Sequence, residues 1–213
     1  MIYSRLSTKY YRVVNIIMTQ IGLISDTYMP GTAKEIPKQV AKVFQGADLI
    51  LHAGNIYISP VLDELEKIAP VLATGSIKGN RTESPDFYSM ECPGDPRVKE
   101  MQFLKFEGHS IGMVHDLHLA GLSADVMPGT TQRYLRPDQS MGHLTESFFG
   151  QKLDIVVFGR TLYSMVEEHD GILFVNPGSP SVPRNLVKLG SVALLTLTPE
   201  KREATIVELA SVD

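Results

Sequence analysis

Short apolar runs that end in small or polar residues recur along the first half of the chain, at Gln20–Asp26, Asp48–Asn55 and Val71–Thr74, and again at Asp154–Gly159. Such runs predict buried strands that deliver their last side chains to the edge of a sheet. Between them the period changes. Ile36, Val40, Val43 and Phe44 share one face of a helix predicted over Lys34–Phe44, closed by Gly46, and a second amphipathic helix is predicted over Pro60–Ile68. Strand and helix in alternation predict right-handed crossovers and a largely parallel sheet covered on both faces. Ser25-Asp26, Gly54-Asn55 and Gly79-Asn80 then fall beyond the carboxyl ends of strands, where open α/β sheets hold their ligands.

The second half reads differently. Pro85, Pro93, Gly94 and Pro96 mark Arg81–Arg97 as a loop, and Gln102–Phe106 and Ser110–His115 predict two strands around a turn at Glu107-Gly108-His109. Asp125–Pro137 is rich in turn residues and longer than a compact domain needs, which predicts a mobile segment or a lid. Gly171–Val175, Ser191–Leu197 and Ala204–Leu209 are expected to form strands of a second, mixed sheet.

With 213 residues and 43% hydrophobic content the chain can bury one continuous core, so one domain is expected over residues 18–213. Residues 1–17 carry Arg5, Lys9 and Arg12 and no acid, but the apolar stretch Val13–Met18 is short and broken by Asn15, unlike a signal peptide. They are read as an extension outside the domain, or as the product of an upstream start with Met18 as the true beginning. The net charge of −4 gives no reason to expect nucleic acid or anionic lipid as partner. Cys92, the one cysteine, excludes an internal disulfide and a cysteine-based zinc site within one chain. No run approaches the roughly 18 apolar residues of a membrane span, and a cytoplasmic protein is expected.

Several segments now match one pattern in order: Ile24-Ser25-Asp26-Thr27-Tyr28, His52-Ala53-Gly54-Asn55, Lys78-Gly79-Asn80-Arg81, Met113-Val114-His115-Asp116, Phe158-Gly159-Arg160-Thr161-Leu162, and Val175-Asn176-Pro177-Gly178-Ser179-Pro180. From Gln20 to about Leu209 the chain resembles the calcineurin-like phosphoesterase superfamily, in its branch of small single-domain phosphodiesterases and the retromer subunit that shares their fold. The resemblance implies an α/β two-sheet sandwich of mixed strands flanked by helices. It also implies two divalent cations about 3.5–4 Å apart, which clamp a phosphoryl group and activate water. Active members supply Asp-x-His, Gly-Asp, Gly-Asn, a lone His and Gly-His-x-His.

Carried over position by position, the resemblance retains Asp26, the amide of Asn80 and the imidazole of His115 as metal ligands, with His115 and Asn80 the candidates for a catalytic role. The other positions depart from the pattern. Tyr28 stands for a histidine, Asn55 for the bridging carboxylate, and Arg160 and Leu162 for both histidines of Gly-His-x-His. An amide is a neutral ligand and bridges cations poorly. Arginine donates only, and a guanidinium aimed at the second site would repel a cation there. The expectation is no bound cofactor. The alternative is one divalent metal (Mn, Zn or Ni) on Asn55, Asn80 and His115.

An arginine where cationic metal used to be can instead grip an oxyanion, with Lys78 and Arg81 in the adjoining loop. The competing reading pairs Arg160 with Asp26 as a buried relic. His52 is read as a core or strand-end histidine, His109, His143 and His169 as solvated, and His118 as a displaced member of the family's His-Gly-His turn. Ser25 and Ser179 lack a triad arrangement. Three functions follow: a degenerate family member kept as a binding module, an active single-metal phosphodiesterase, or a sensor of a phosphate compound. The partner is accordingly a protein or a phosphate-containing small molecule, and an oligomer is compatible with each.

Overall fold

The computed structural model describes residues 18–31, 34–75, 92, 94–181 and 188–213. Two sheets face each other. Sheet A contains β1 (Thr19–Ile24), β2 (Leu49–His52), β3 (Val71–Thr74), β4 (Val98–Lys99), β10 (Ser191–Thr198) and β11 (Lys201–Glu208), in the order β11-β10-β1-β2-β3-β4. β1 to β4 run parallel, and β10 is antiparallel to both β1 and β11. Sheet B has the order β5-β6-β7-β9-β8, built from β5 (Met101–Phe106), β6 (His109–Val114), β7 (Ile155–Val157), β8 (Met165–His169) and β9 (Ile172–Asn176). β6, β7 and β9 are parallel, with antiparallel β5 and β8 at the edges. This is the expected α/β sandwich of two mixed sheets.

Three apolar layers follow from the alternation within the strands. Leu23, Leu51, Ala193 and Leu195 of sheet A meet Ile111, Met113, Val157 and Val175 of sheet B in the interior between them. The intervening residues Ile24 and Ile50 point the other way, toward α1 (Lys38–Val43) and α2 (Pro60–Glu66). On the far side of sheet B, α3 (Met141–Phe149) covers Val156, Phe158 and Phe174 with Met141, Leu144 and Phe149.

The structure corrects two expectations. Ser191–Leu197 and Ala204–Leu209 do not join the second sheet; as β10 and β11 they extend the first, because β10 pairs with β1 from Thr19↔Leu197 to Leu23↔Ala193. Helix α3 and strand β8 fall where no element was expected. Segment 125–137 contains a short 3₁₀ turn, Thr131–Tyr134, with Val126 and Thr131 buried. It is stapled to β8: Gly129 N donates to Glu167 Oε1 (2.6 Å), and Gln132 contacts His169 (3.0 Å).

Candidate functional site

The carboxyl ends of β1, β2, β6 and β7 meet along one seam between the sheets. Asp26 N donates to Gly54 O and Tyr28 N to Asn55 O, lacing the loops after β1 and β2, while Gly159 N donates to His115 O across sheet B. The seam is too tight for a side chain at two positions. A Cβ on Gly159 would lie 2.5 Å from Ala53 O and 2.9 Å from Asp26 Oδ2, and one on Gly54 (φ +91°) would lie 2.4 Å from the His115 ring.

Asp26 sits at the centre and is fully buried. Its Oδ1 accepts from Asn55 Nδ2 at 2.7 Å, and its Oδ2 accepts from the backbone N–H of Arg160 at 3.0 Å. The same Asn55 amide reaches Tyr28 Oη at 2.9 Å, and Tyr28 packs edge-on against Tyr57. His115 Nδ1 is 2.7 Å from Ala53 O. A carbonyl only accepts, so Nδ1 carries a proton, and Nε2 lies 4.0 Å from Asp26 Oδ1. Burial raises the pKa of Asp26 above its ordinary value, against the attraction of His115 and the hydrogen bond from Asn55. Burial and the adjacent Asp26 carboxylate likewise push the Tyr28 phenol up.

The side chains of Asp26, Asn55 and His115 therefore come together, as does the main chain of Arg160. Lys78, Asn80 and Arg81 lie outside the described residues. The Arg160 side chain, 47% exposed, turns away from Asp26: Nη1 is 3.0 Å from Asp125 Oδ1 and Nε is 3.4 Å from Asp116 Oδ2. So the guanidinium neither pairs with Asp26 in a buried ion pair nor points toward it. Asp125 comes from the segment expected to be mobile or a lid, and nothing in its local sequence announced the pairing. Leu162 and Tyr163, 36% and 59% exposed, follow on the rim.

The remaining polar groups are structural. Ser25 Oγ donates to Gly178 O and Ser179 Oγ to Asp26 O, both at 2.7 Å. Asn176 holds Gly159 O through Nδ2 and Gly178 N through Oδ1, a role carried by the Asn-Pro-Gly-Ser turn. His52 is buried with Nε2 3.2 Å from Thr27 Oγ1, and burial pushes its pKa down to about 3. His169 is not solvated as expected; its side chain is 9% exposed and lies 2.9 Å from Glu167. His109 is half-buried against Thr198 O.

A dinuclear cation centre needs several anionic or imidazole ligands with free lone pairs. Among the described residues no group of three or more His, Cys, Asp or Glu side chains is placed to hold a metal ion. Asp26, the carboxylate at the centre, already accepts from two donors within the protein. The described residues do not fit such a centre.

Comparison with known proteins accords with this geometry in fold. Residues 19–200 match the model of the calcineurin-like phosphoesterase superfamily domain. A curated relative from Methanothermobacter thermautotrophicus, named "Probable metallophosphoesterase", is 31% identical over 189 residues, 88% of this chain and 91% of its own. Among solved structures, Vacuolar Protein Sorting 29 from Cryptosporidium parvum is 20% identical with a TM-score of 0.59, covering 90% of this chain and 97% of its own. A structure described as a novel archaeal phosphodiesterase is 18% identical with a TM-score of 0.57, covering 89% of this chain and 99% of its own. At these identities the two structures show a shared fold and nothing about shared chemistry. The match over residues 19–200, together with the sandwich it predicts, places this chain in the calcineurin-like phosphoesterase superfamily.

Proposed function

We propose that this superfamily member does not hydrolyse phosphate esters and that its fold serves as a binding module for a protein partner in the cytoplasm. One observation carries the reading: the Asn55 amide donates to Asp26 Oδ1 at 2.7 Å, so the retained carboxylate is engaged by the protein itself. The superfamily's chemistry runs through divalent metals, and here a neutral donor stands where a bridging carboxylate would be needed. The exposed Leu162 and Tyr163 on the rim support a protein partner over a small anion. So does Arg160, whose charge is met by Asp116 and Asp125 and is not held out for a phosphate. The net charge of −4 argues against nucleic acid. Among the described residues no helix is long and apolar enough to cross a membrane.

The test is hydrolysis of bis(p-nitrophenyl) phosphate with added Mn²⁺, on protein purified without chelator. No turnover above buffer is expected. Metal-dependent turnover abolished by His115→Ala would overturn the reading in favour of a phosphodiesterase. Calorimetric titration with phosphate, on the parent and on Arg160→Leu, addresses the sensor: no binding is expected, and affinity lost in Arg160→Leu would establish the sensor instead.

A further inference from the structure

We infer that a groove along the foot of sheet B, at the opposite end of the strands from the site described above, is the docking surface of the chain's own residues 1–17, which lie outside the described residues.

The groove is made of two hollows that adjoin. One, of about 400 Å³, opens at the edge strand β5 between Phe103, Leu104, Ile111 and Leu153. The other, of about 550 Å³, lies between α3 and the amino ends of β7 and β9 and is lined by Glu146, Asp154 and Asp170. Ser110 and Leu153 line both, so the two form one channel with an apolar end and an acidic end.

The apolar end is left open by the fold. Phe103 is 46% exposed even though its ring packs edge-on against Phe149. Phe106 and His109 close the two-residue turn between β5 and β6, so the alternation of an antiparallel pair turns the main-chain N–H and C=O groups of Phe103 and Lys105 away from β6. A sheet edge that offers unpaired main-chain groups beside an exposed aromatic ring calls for a cover. At the acidic end, Asp154 spends one oxygen on the N–H and hydroxyl of Ser110, and Asp170 spends one on the N–H of Gly142, which leaves each a second oxygen for a cation. Neither of these carboxylates nor that of Glu146 is in a salt bridge among the described residues.

Tether, charge and order set the occupant. Thr19, the first residue of β1, donates through Oγ1 to Glu107 Oε1 (2.9 Å) in the β5–β6 turn, so the preceding chain is delivered to the foot of sheet B beside the apolar end. Seventeen residues reach up to about 56 Å when extended, enough to follow the whole groove. Arg5, Lys9 and Arg12, with no acid among residues 1–17, are opposite in sign to an end that holds three carboxylates and Lys152. The order matches as well. Counting back from Thr19, the β-branched Ile17, Ile16, Val14 and Val13 come first and suit a sheet edge, and Arg12, Lys9 and Arg5 follow toward the carboxylates.

The experiment is limited trypsin digestion of the full chain, with the cuts after Arg5, Lys9 and Arg12 followed by mass spectrometry beside a synthetic peptide of residues 1–17. Cleavage after Arg12 is expected to be about tenfold slower in the chain than in the peptide, since it tracks the undocked population. Phe103→Asp and Glu146→Lys, both at exposed positions, should each speed it several-fold. A chain cut as fast as the peptide, or a rate that either variant leaves unchanged, overturns the inference. Where Phe103→Asp melts well below the parent, Phe103→Ala takes its place under the same criterion. A benzoylphenylalanine photoprobe at position 11 then locates the surface. Crosslinks within one chain to residues 103–111 or 151–154 support the docking, whereas crosslinks to a second copy, to the rim at Leu162 and Tyr163, or to nothing overturn it.

Discussion

Two regions join sheet A to sheet B, and they do so by opposite means. In the interior, Leu23, Leu51 and Leu195 meet Ile111, Val157 and Val175 through apolar contact alone. At the strand ends, Asp26, Asn55, His115 and Arg160 meet through directed hydrogen bonds. The interior tolerates any apolar side chain of the right volume, because burial is non-directional. The seam tolerates only groups whose donors and acceptors match, since an unmatched buried group costs its full desolvation. One chain thus combines a layer fixed by pattern with a seam fixed by chemistry.

The contrast is sharpest in their energies. Leu51→Ala, in the fully buried interior, is expected to cost about 2–5 kcal/mol by the usual transfer and cavity terms, read as a lower urea midpoint. Asn55→Ala should cost about 1.5–3 kcal/mol, the range for hydrogen bonds to a charged group, since it strips a donor from Asp26. A loss at Asn55 exceeding that at Leu51 would break the ranking and make the seam the main weld.

The third effect is a pH slope that belongs to neither region. Buried His52 has a pKa near 3, whereas the unfolded chain takes up this proton near 6.5. Its contribution is fully present above 6.5 and falls as the pH drops toward 3, so the His52 part of the stability should be about 2 kcal/mol smaller at pH 5 than at pH 7. His52→Leu should flatten that limb in urea unfolding across the range. Asp26 works with the opposite sign: its raised pKa means a contribution present below 3.8 and lost as pH rises through the folded value, so acid relieves it. Asp95, held low by its hydrogen bond from Arg97, loses its contribution only below 3.8, so above about 4 His52 acts against Asp26 and not against Asp95. A profile that His52→Leu leaves unchanged would show that the ring is protonated within the fold.

Period and length made the sandwich legible: β2, β3 and β7 lie within the runs read as strands, β1 begins one residue before its run, and α1 and α2 lie within the predicted helices. The assignment of β10 and β11 was not legible, because an apolar run announces a strand but not its neighbour. Helix α3 had a signal that went unread, with Ser140 capping its start, Met141, Leu144, Phe148 and Phe149 at helical spacing, and left-handed Gly150 at its end. β8 is short, with Glu167 and Glu168 near its centre, and offers little pattern on a sheet edge. At the site, the meeting of Asp26, Asn55 and His115 followed from their place at strand ends. The course of the Arg160 guanidinium did not, since it is set by Asp125, 35 residues away in sequence.

Gly54 and Gly159 have a bearing on how such a chain drifts. A methyl group at either glycine would collide with His115 or with Ala53 O. Selection for a folded protein alone is then enough to retain both glycines. In a descendant sequence these two glycines testify to inherited shape without testifying to catalysis.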